Sequence, residues 1–100
     1  MITVLFEVST IAEKQARYFQ LAEQLKPLLS DIEGFISIER FQSTTNPDKL
    51  ISLSWWENEA AIKQWKQNVQ HQRAQAEGRD SIFSSYKIHV LTSIREYCSK

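Results

Sequence analysis

Leu50-Ile51-Ser52-Leu53-Ser54-Trp55-Trp56-Glu57-Asn58-Glu59-Ala60-Ala61-Ile62-Lys63-Gln64-Trp65 changes its apolar period halfway along. Up to Trp56 the period is two, with Ile51, Leu53 and Trp55 on one face of a strand and Leu50 and Trp56 on the other. Ser52 and Ser54 lie between Leu50 and Trp56, and their small side chains leave room on that face. Asn58 is a good helix cap and Glu59 a favourable first-turn charge. Beyond them Ala61, Ile62, Trp65, Val69, Gln72 and Ala76 fall on one side of a helix. The stretch therefore reads as a strand running straight into a helix that Gly78 ends, and the rest of the chain supplies what such a unit packs against.

Upstream, Ile2, Val4, Phe6 and Val8 alternate with Thr3, Leu5, Glu7 and Ser9, the pattern of a first strand. Thr10-Ile11-Ala12-Glu13 fits a capping box at the start of a helix. Tyr18, Leu21, Ala22, Leu25, Leu28, Leu29 and Ile32 continue as an apolar stripe, with a kink or restart expected near Gln24 to Lys26 because Pro27 lies within it. Gly34 closes this helix in a left-handed conformation. Phe35 to Gln42 forms a second strand, with Phe35 and Phe41 on one face and Ile36 and Ile38 on the other. Ser43 to Asp48, centred on Asn46-Pro47-Asp48, turns it back into the tryptophan-bearing strand as a hairpin. Downstream, Arg79 to Ser85 is a short connection that tucks Ile82 and Phe83 against the core. Tyr86, Ile88, Val90, Thr92 and Ile94 then alternate with polar and apolar neighbours along a final strand.

Strand, helix, strand, strand, helix, strand is the split βαβ order of the ferredoxin-like α+β fold, a four-stranded antiparallel sheet with both helices on one side. A chain of 100 residues with 42% apolar content supports one domain, residues 1–100. Acidic and basic residues balance at 12 each, so no long-range field draws the chain toward nucleic acid or an anionic membrane. The single cysteine, Cys98, forms no internal bridge. With no apolar run near the length of a membrane span and no charged-then-apolar leader, the expected location is cytoplasmic.

The sheet's other face carries too much bulk for solvent. Leu5, Ile36 with Ile38, the Leu53 and Trp55 pair and Leu91 put bulk on both sides of the sheet. A homodimer packed sheet on sheet is the expected remedy. Glu7, Glu39 and Arg40 alternate with apolar neighbours, so each needs a cross-strand partner or a wet pocket; Glu39 and Arg40 face opposite ways and cannot serve one another.

With two glycines, Gly34 and Gly78, there is no phosphate-binding loop, and neither metal-type Cys/His spacing nor a nucleophile elbow occurs. What remains is the helix bearing Trp65 and His71, six residues and about 120° apart around a continuous helix. Trp65 lies in the buried stripe, and His71 at its edge, beside Asn68 and Gln75, where it would take a proton or ligate a heme iron. The plainer reading makes Trp65 core and His71 a half-exposed surface residue. His89, on the final strand, reads as dimer-facing or edge, and Tyr86 and Tyr97 as packing.

Gly34 to Phe41, Leu50 to Trp56, Trp65 with His71-Gln72-Arg73-Ala74-Gln75, Gly78-Arg79, Phe83 and Tyr86 together resemble the antibiotic biosynthesis monooxygenase family over nearly the whole chain. The resemblance implies a dimeric α/β barrel and oxidation of a flat phenol- or quinol-like aromatic by molecular oxygen without a cofactor. It also implies Trp65 and His71 as catalytic residues and Trp55, Trp56, Phe83 and Tyr86 as substrate walls. Heme binding and degradation through His71 is the alternative within the same family. There Glu7 stands where the heme-degrading branch has an asparagine, and His71 comes one turn before its ligand, at which Gln75 falls. A non-catalytic dimeric binding or stress-response domain is the third possibility.

Overall fold

The computed structural model describes residues 1–99. The elements are β1 (Ile2–Thr10), α1 (Gln15–Ser30), β2 (Phe35–Gln42), β3 (Lys49–Trp56), α2 (Glu59–Lys66), α3 (Val69–Glu77) and β4 (Phe83–Thr92). The four strands form one antiparallel sheet in the order β2-β3-β1-β4, as the ferredoxin-like reading requires. Among the described residues no helix is long and apolar enough to cross a membrane.

The register assigns the two faces. Val4, Phe6 and Val8 on β1 lie level with Ser54, Ser52 and Leu50 on β3 and with Val90, Ile88 and Tyr86 on β4. Because side chains alternate along each strand, these residues share the face the helices cover. Leu5, Glu7, Ile51, Leu53, Trp55 and Leu91 share the other face. Two buried clusters fill the space under the helices. Leu29, Ile32, Trp56, Ala61, Ile62 and Trp65 form one, and Val8, Tyr18, Leu50 and Ile82 the other.

Four local expectations need correction. Thr10 and Glu13 make no capping box: the Thr10 hydroxyl donates to the Asp48 carbonyl at 3.3 Å, and a 3-10 turn over Ala12–Lys14 leads into α1 without a side-chain cap. Pro27 does not interrupt α1, which runs unbroken to Ser30. The register slips between Phe35 and Ser37, a bulge that puts Phe35 and Ile38 against the same core cluster and sends Phe41 to the open face opposite Ile51. Lastly, β4 begins at Phe83, inside the stretch read as a connection.

The two glycines have separate reasons. Gly34 sits at φ +95°, and a Cβ there would come within 2.9 Å of the Ala61 Cβ, so it is needed both for the turn and for the approach of α2. At Gly78 a Cβ would fall 2.5 Å from the Phe83 ring.

Candidate functional site

The helix after β3 is two helices. Asn58 caps α2 as expected, its side chain accepting from the Ala61 amide at 3.0 Å, but α2 stops at Lys66. Asn68 then starts α3 by accepting from the His71 amide, also at 3.0 Å. A side chain that satisfies the first free amides of a new helix competes with continuation of the old one, and here it wins. One result is that Val69, expected on the buried stripe, is 58% exposed.

The break also replaces the 120° separation of Trp65 and His71 with direct contact. Their rings stack with centroids 4.4 Å apart and planes inclined by 21°. His71 Nδ1 lies 3.2 Å from the Trp65 carbonyl oxygen. That oxygen can only accept, so Nδ1 carries the proton and Nε2 is the basic nitrogen of the neutral ring. Burial is the main influence on the imidazole and holds its pKa below the ordinary 6.5, against a smaller opposing pull from the Trp65 carbonyl. His71 is therefore neutral at pH 7.

Trp65 and His71 border a cavity of about 420 Å³ between the helices and the covered face of the sheet. Ser52 and Ser54 form its floor, where larger side chains on β3 would fill the gap between the two clusters. Trp56, 2% exposed, closes one end and is fixed there by its indole N–H, which donates to the Ser54 hydroxyl at 2.9 Å. Phe83 and Tyr86 also border the cavity, in a group of aromatic rings with Phe6 whose centroids lie 5.7 to 6.0 Å apart. Outside the cavity, Arg17 on α1 grips Glu77 on α3 through two hydrogen bonds, of 2.6 and 2.9 Å.

Of the six residues expected at the site, five line this cavity: Trp65, His71, Trp56, Phe83 and Tyr86. Trp55 does not. It lies level with Thr3 on the opposite face of the sheet, so it cannot be a wall of the same space. Of Glu7, Glu39 and Arg40, Glu39 is exposed on the open face and makes no ion pair among the described residues, and the other two divide as expected. Glu7 pairs with Lys49, and this cation holds its carboxyl below the usual range. Arg40 instead faces the cavity, with its Nε buried and no protein acceptor for it. Sequence reasoning did not count Arg40 as a site residue, although a cation among apolar alternating neighbours was a signal for it.

The heme-degrading arrangement finds little to match. Glu7, at the position of that branch's strand asparagine, belongs to the open face, and among the described residues no asparagine lines the cavity. Gln75 does line it, together with His71.

Comparison with known proteins agrees with the geometry. Residues 1–77 match the family described as antibiotic biosynthesis monooxygenase. The jasmonate monooxygenase ABM of Pyricularia oryzae is 33% identical over 90 residues, which are 90% of this chain and 42% of that protein, so this chain spans under half of that relative's length. A crystal structure titled a putative antibiotic biosynthesis monooxygenase, from Deinococcus radiodurans, superposes with a TM-score of 0.84 at 16% identity, over 100% of this chain and 99% of that one. Rv0793 from Mycobacterium tuberculosis superposes with a TM-score of 0.85 at 11% identity, over 97% and 98%. The match across residues 1–77 and the shared fold place this chain in the antibiotic biosynthesis monooxygenase family.

Proposed function

We propose that the chain is a small monooxygenase that binds a flat phenol- or quinol-like aromatic in the cavity and oxidises it with molecular oxygen. The observation that carries this reading is a neutral histidine with Nε2 as its basic nitrogen, stacked on a tryptophan at the wall of an apolar cavity. Its volume lies in the range of small-molecule sites and suits a substrate of one to three fused rings. Trp56, Trp65, Phe83 and Tyr86 offer ring faces and edges against which such a substrate packs.

His71 removes the phenolic proton, and the substrate anion gives its electrons to dioxygen among the apolar walls of the cavity. One oxygen atom enters the ring as a second carbonyl and the other leaves as water. A phenol carrying a ring hydrogen becomes a quinone, so the substrate itself supplies both electron pairs and no further reductant is needed.

Two copies pack through the open face of the sheet in this reading. Leu5, Ile51, Leu53, Trp55, Phe41 and Leu91 supply an apolar surface there, of which Phe41 and Leu91 are 47% and 43% exposed.

Oxygen uptake with a panel of naphthols and quinols tests the chemistry. The expected result is one dioxygen consumed per quinone formed, with the rate lost in His71→Ala. Silence across the panel removes the catalytic reading. Titration with hemin addresses the alternative in the same samples, because a Soret band that disappears in His71→Ala would favour heme binding.

A further inference from the structure

The cavity does not share the charge balance of the chain. The whole sequence carries 12 basic and 12 acidic residues, yet among the described residues the cavity wall holds Arg40, Lys66 and Arg79 and not one aspartate or glutamate. Lys66 and Arg79 are exposed and sit at the rim, whereas Arg40 is half-buried. Its neighbour on β3 is Ser52, whose short side chain leaves the guanidinium open to the cavity, and its sequence neighbour Glu39 points to the other face, level with Leu53. Among the described residues no acid pairs with Arg40, and its buried Nε has no acceptor.

A half-buried guanidinium with an unanswered N–H is costly in an apolar wall unless something it binds repays the desolvation. Glu7 is neutralised by Lys49, and the strand charges Glu39 and Lys87 are exposed to solvent, so the half-buried, unpaired Arg40 is an informative exception. We infer that Arg40 is the anchor for a carboxylate on the substrate, so that the ligand class is an apolar ring bearing an acid group: ring among the aromatic walls, carboxylate on the guanidinium. A carboxylate meets a guanidinium through paired N–H to oxygen contacts, and Ser52, level with Arg40, adds a hydroxyl to the same part of the cavity wall. Lys66 and Arg79 at the rim favour entry of an anion over a neutral molecule. This inference rests on the proposed reading of the cavity as the substrate site and adds the group by which it selects.

The test is calorimetric titration of the full chain with 6-hydroxy-2-naphthoic acid and with its methyl ester, which differ by one charge and one methyl group. The acid is expected to bind about tenfold more tightly than the ester, a difference typical of one charge-assisted pair. In Arg40→Gln that preference should fall to about twofold or less while ester affinity stays near wild type, which also shows that the variant is folded. Arg40→Lys should keep part of the preference, and Lys66→Gln and Arg79→Gln most of it. Equal binding of acid and ester by wild type, or an unchanged preference in Arg40→Gln, overturns the anchor but leaves the cavity reading standing. If neither compound binds at millimolar concentration, the cavity reading fails and the anchor fails with it.

Discussion

The two sides of β3 are built from adjacent residues and do opposite things. On the covered side Leu50, Ser52, Ser54 and Trp56 alternate large, small, small, large, and the two serines hold open a space that neither core cluster fills. On the open side Ile51, Leu53 and Trp55 are all large and lie beside Leu5 and Phe41, with no helix to cover them. The contrast teaches that tryptophan content alone does not mark a binding site. Trp55 and Trp56 are neighbours in sequence, but only the one whose face is roofed by helices borders the cavity.

The sharpest way to break this contrast is to remove each tryptophan in turn. Trp56→Ala should cost about 3–5 kcal/mol in chemical denaturation, since it empties a fully packed position and strips the Ser54 hydroxyl of its donor. Trp55→Ala should cost much less within one subunit, and equal losses from the two would erase the distinction between the faces. His71→Ala comes next, with a fall in turnover of about a hundredfold, in the usual range for loss of a general base. Its oxygen uptake should also lose the acidic limb of the pH profile, which in the wild type lies below 6.5 because burial lowers the imidazole pKa.

On the open side, Trp55→Glu should weaken self-association by at least about tenfold in sedimentation equilibrium, because a carboxylate buried between two sheets lacks a partner. If wild type is monomeric at micromolar concentration, the open face has some other role. Asn68→Ala is expected to destabilise the start of α3 by about 1 kcal/mol, the worth of a helix cap. It should also loosen the stacking of His71 on Trp65, seen as faster hydrogen exchange at the His71 amide, with the rest of the fold unchanged.

The smallest effect concerns acid stability and separates the buried histidine from the exposed ion pairs by pH. His71 has a folded pKa below its unfolded value near 6.5, so the unfolded chain takes up the proton first. The stability that His71 contributes is complete above that pH and declines as pH falls toward the folded value. Glu7, held low mainly by its hydrogen bond to Lys49, and Glu77, held low mainly by its hydrogen bond to Arg17, add stability that is complete above about 4.5. That part is lost as pH falls through their lowered folded values. Melting temperature should therefore decline gently in two stages, and His71→Gln should remove the first while leaving the second.

Much of this organisation could be read from residue order because it depends on local periodicity. Alternation in Ile2 to Val8 and Leu50 to Trp56, the stripe from Tyr18 to Ile32 and the turn at Asn46-Pro47-Asp48 give the strands, the first helix and the hairpin. The bulk on both faces of β3 follows in the same way, as does the room left by Ser52 and Ser54. What periodicity missed were places where one side chain outcompetes a regular pattern: Asn68 ending α2, the slip after Phe35, and Thr10 turning to the Asp48 carbonyl instead of capping a helix.

The amino-acid order by itself determined the four strands, the sheet architecture and the family resemblance, because those depend on patterns a few residues long. Only the tertiary structure decided which tryptophan borders the cavity, how His71 meets Trp65, and that Arg40 faces the cavity without an acid to pair with. Those outcomes depend on register and on a helix break, where a shift of one residue moves a side chain to the other face.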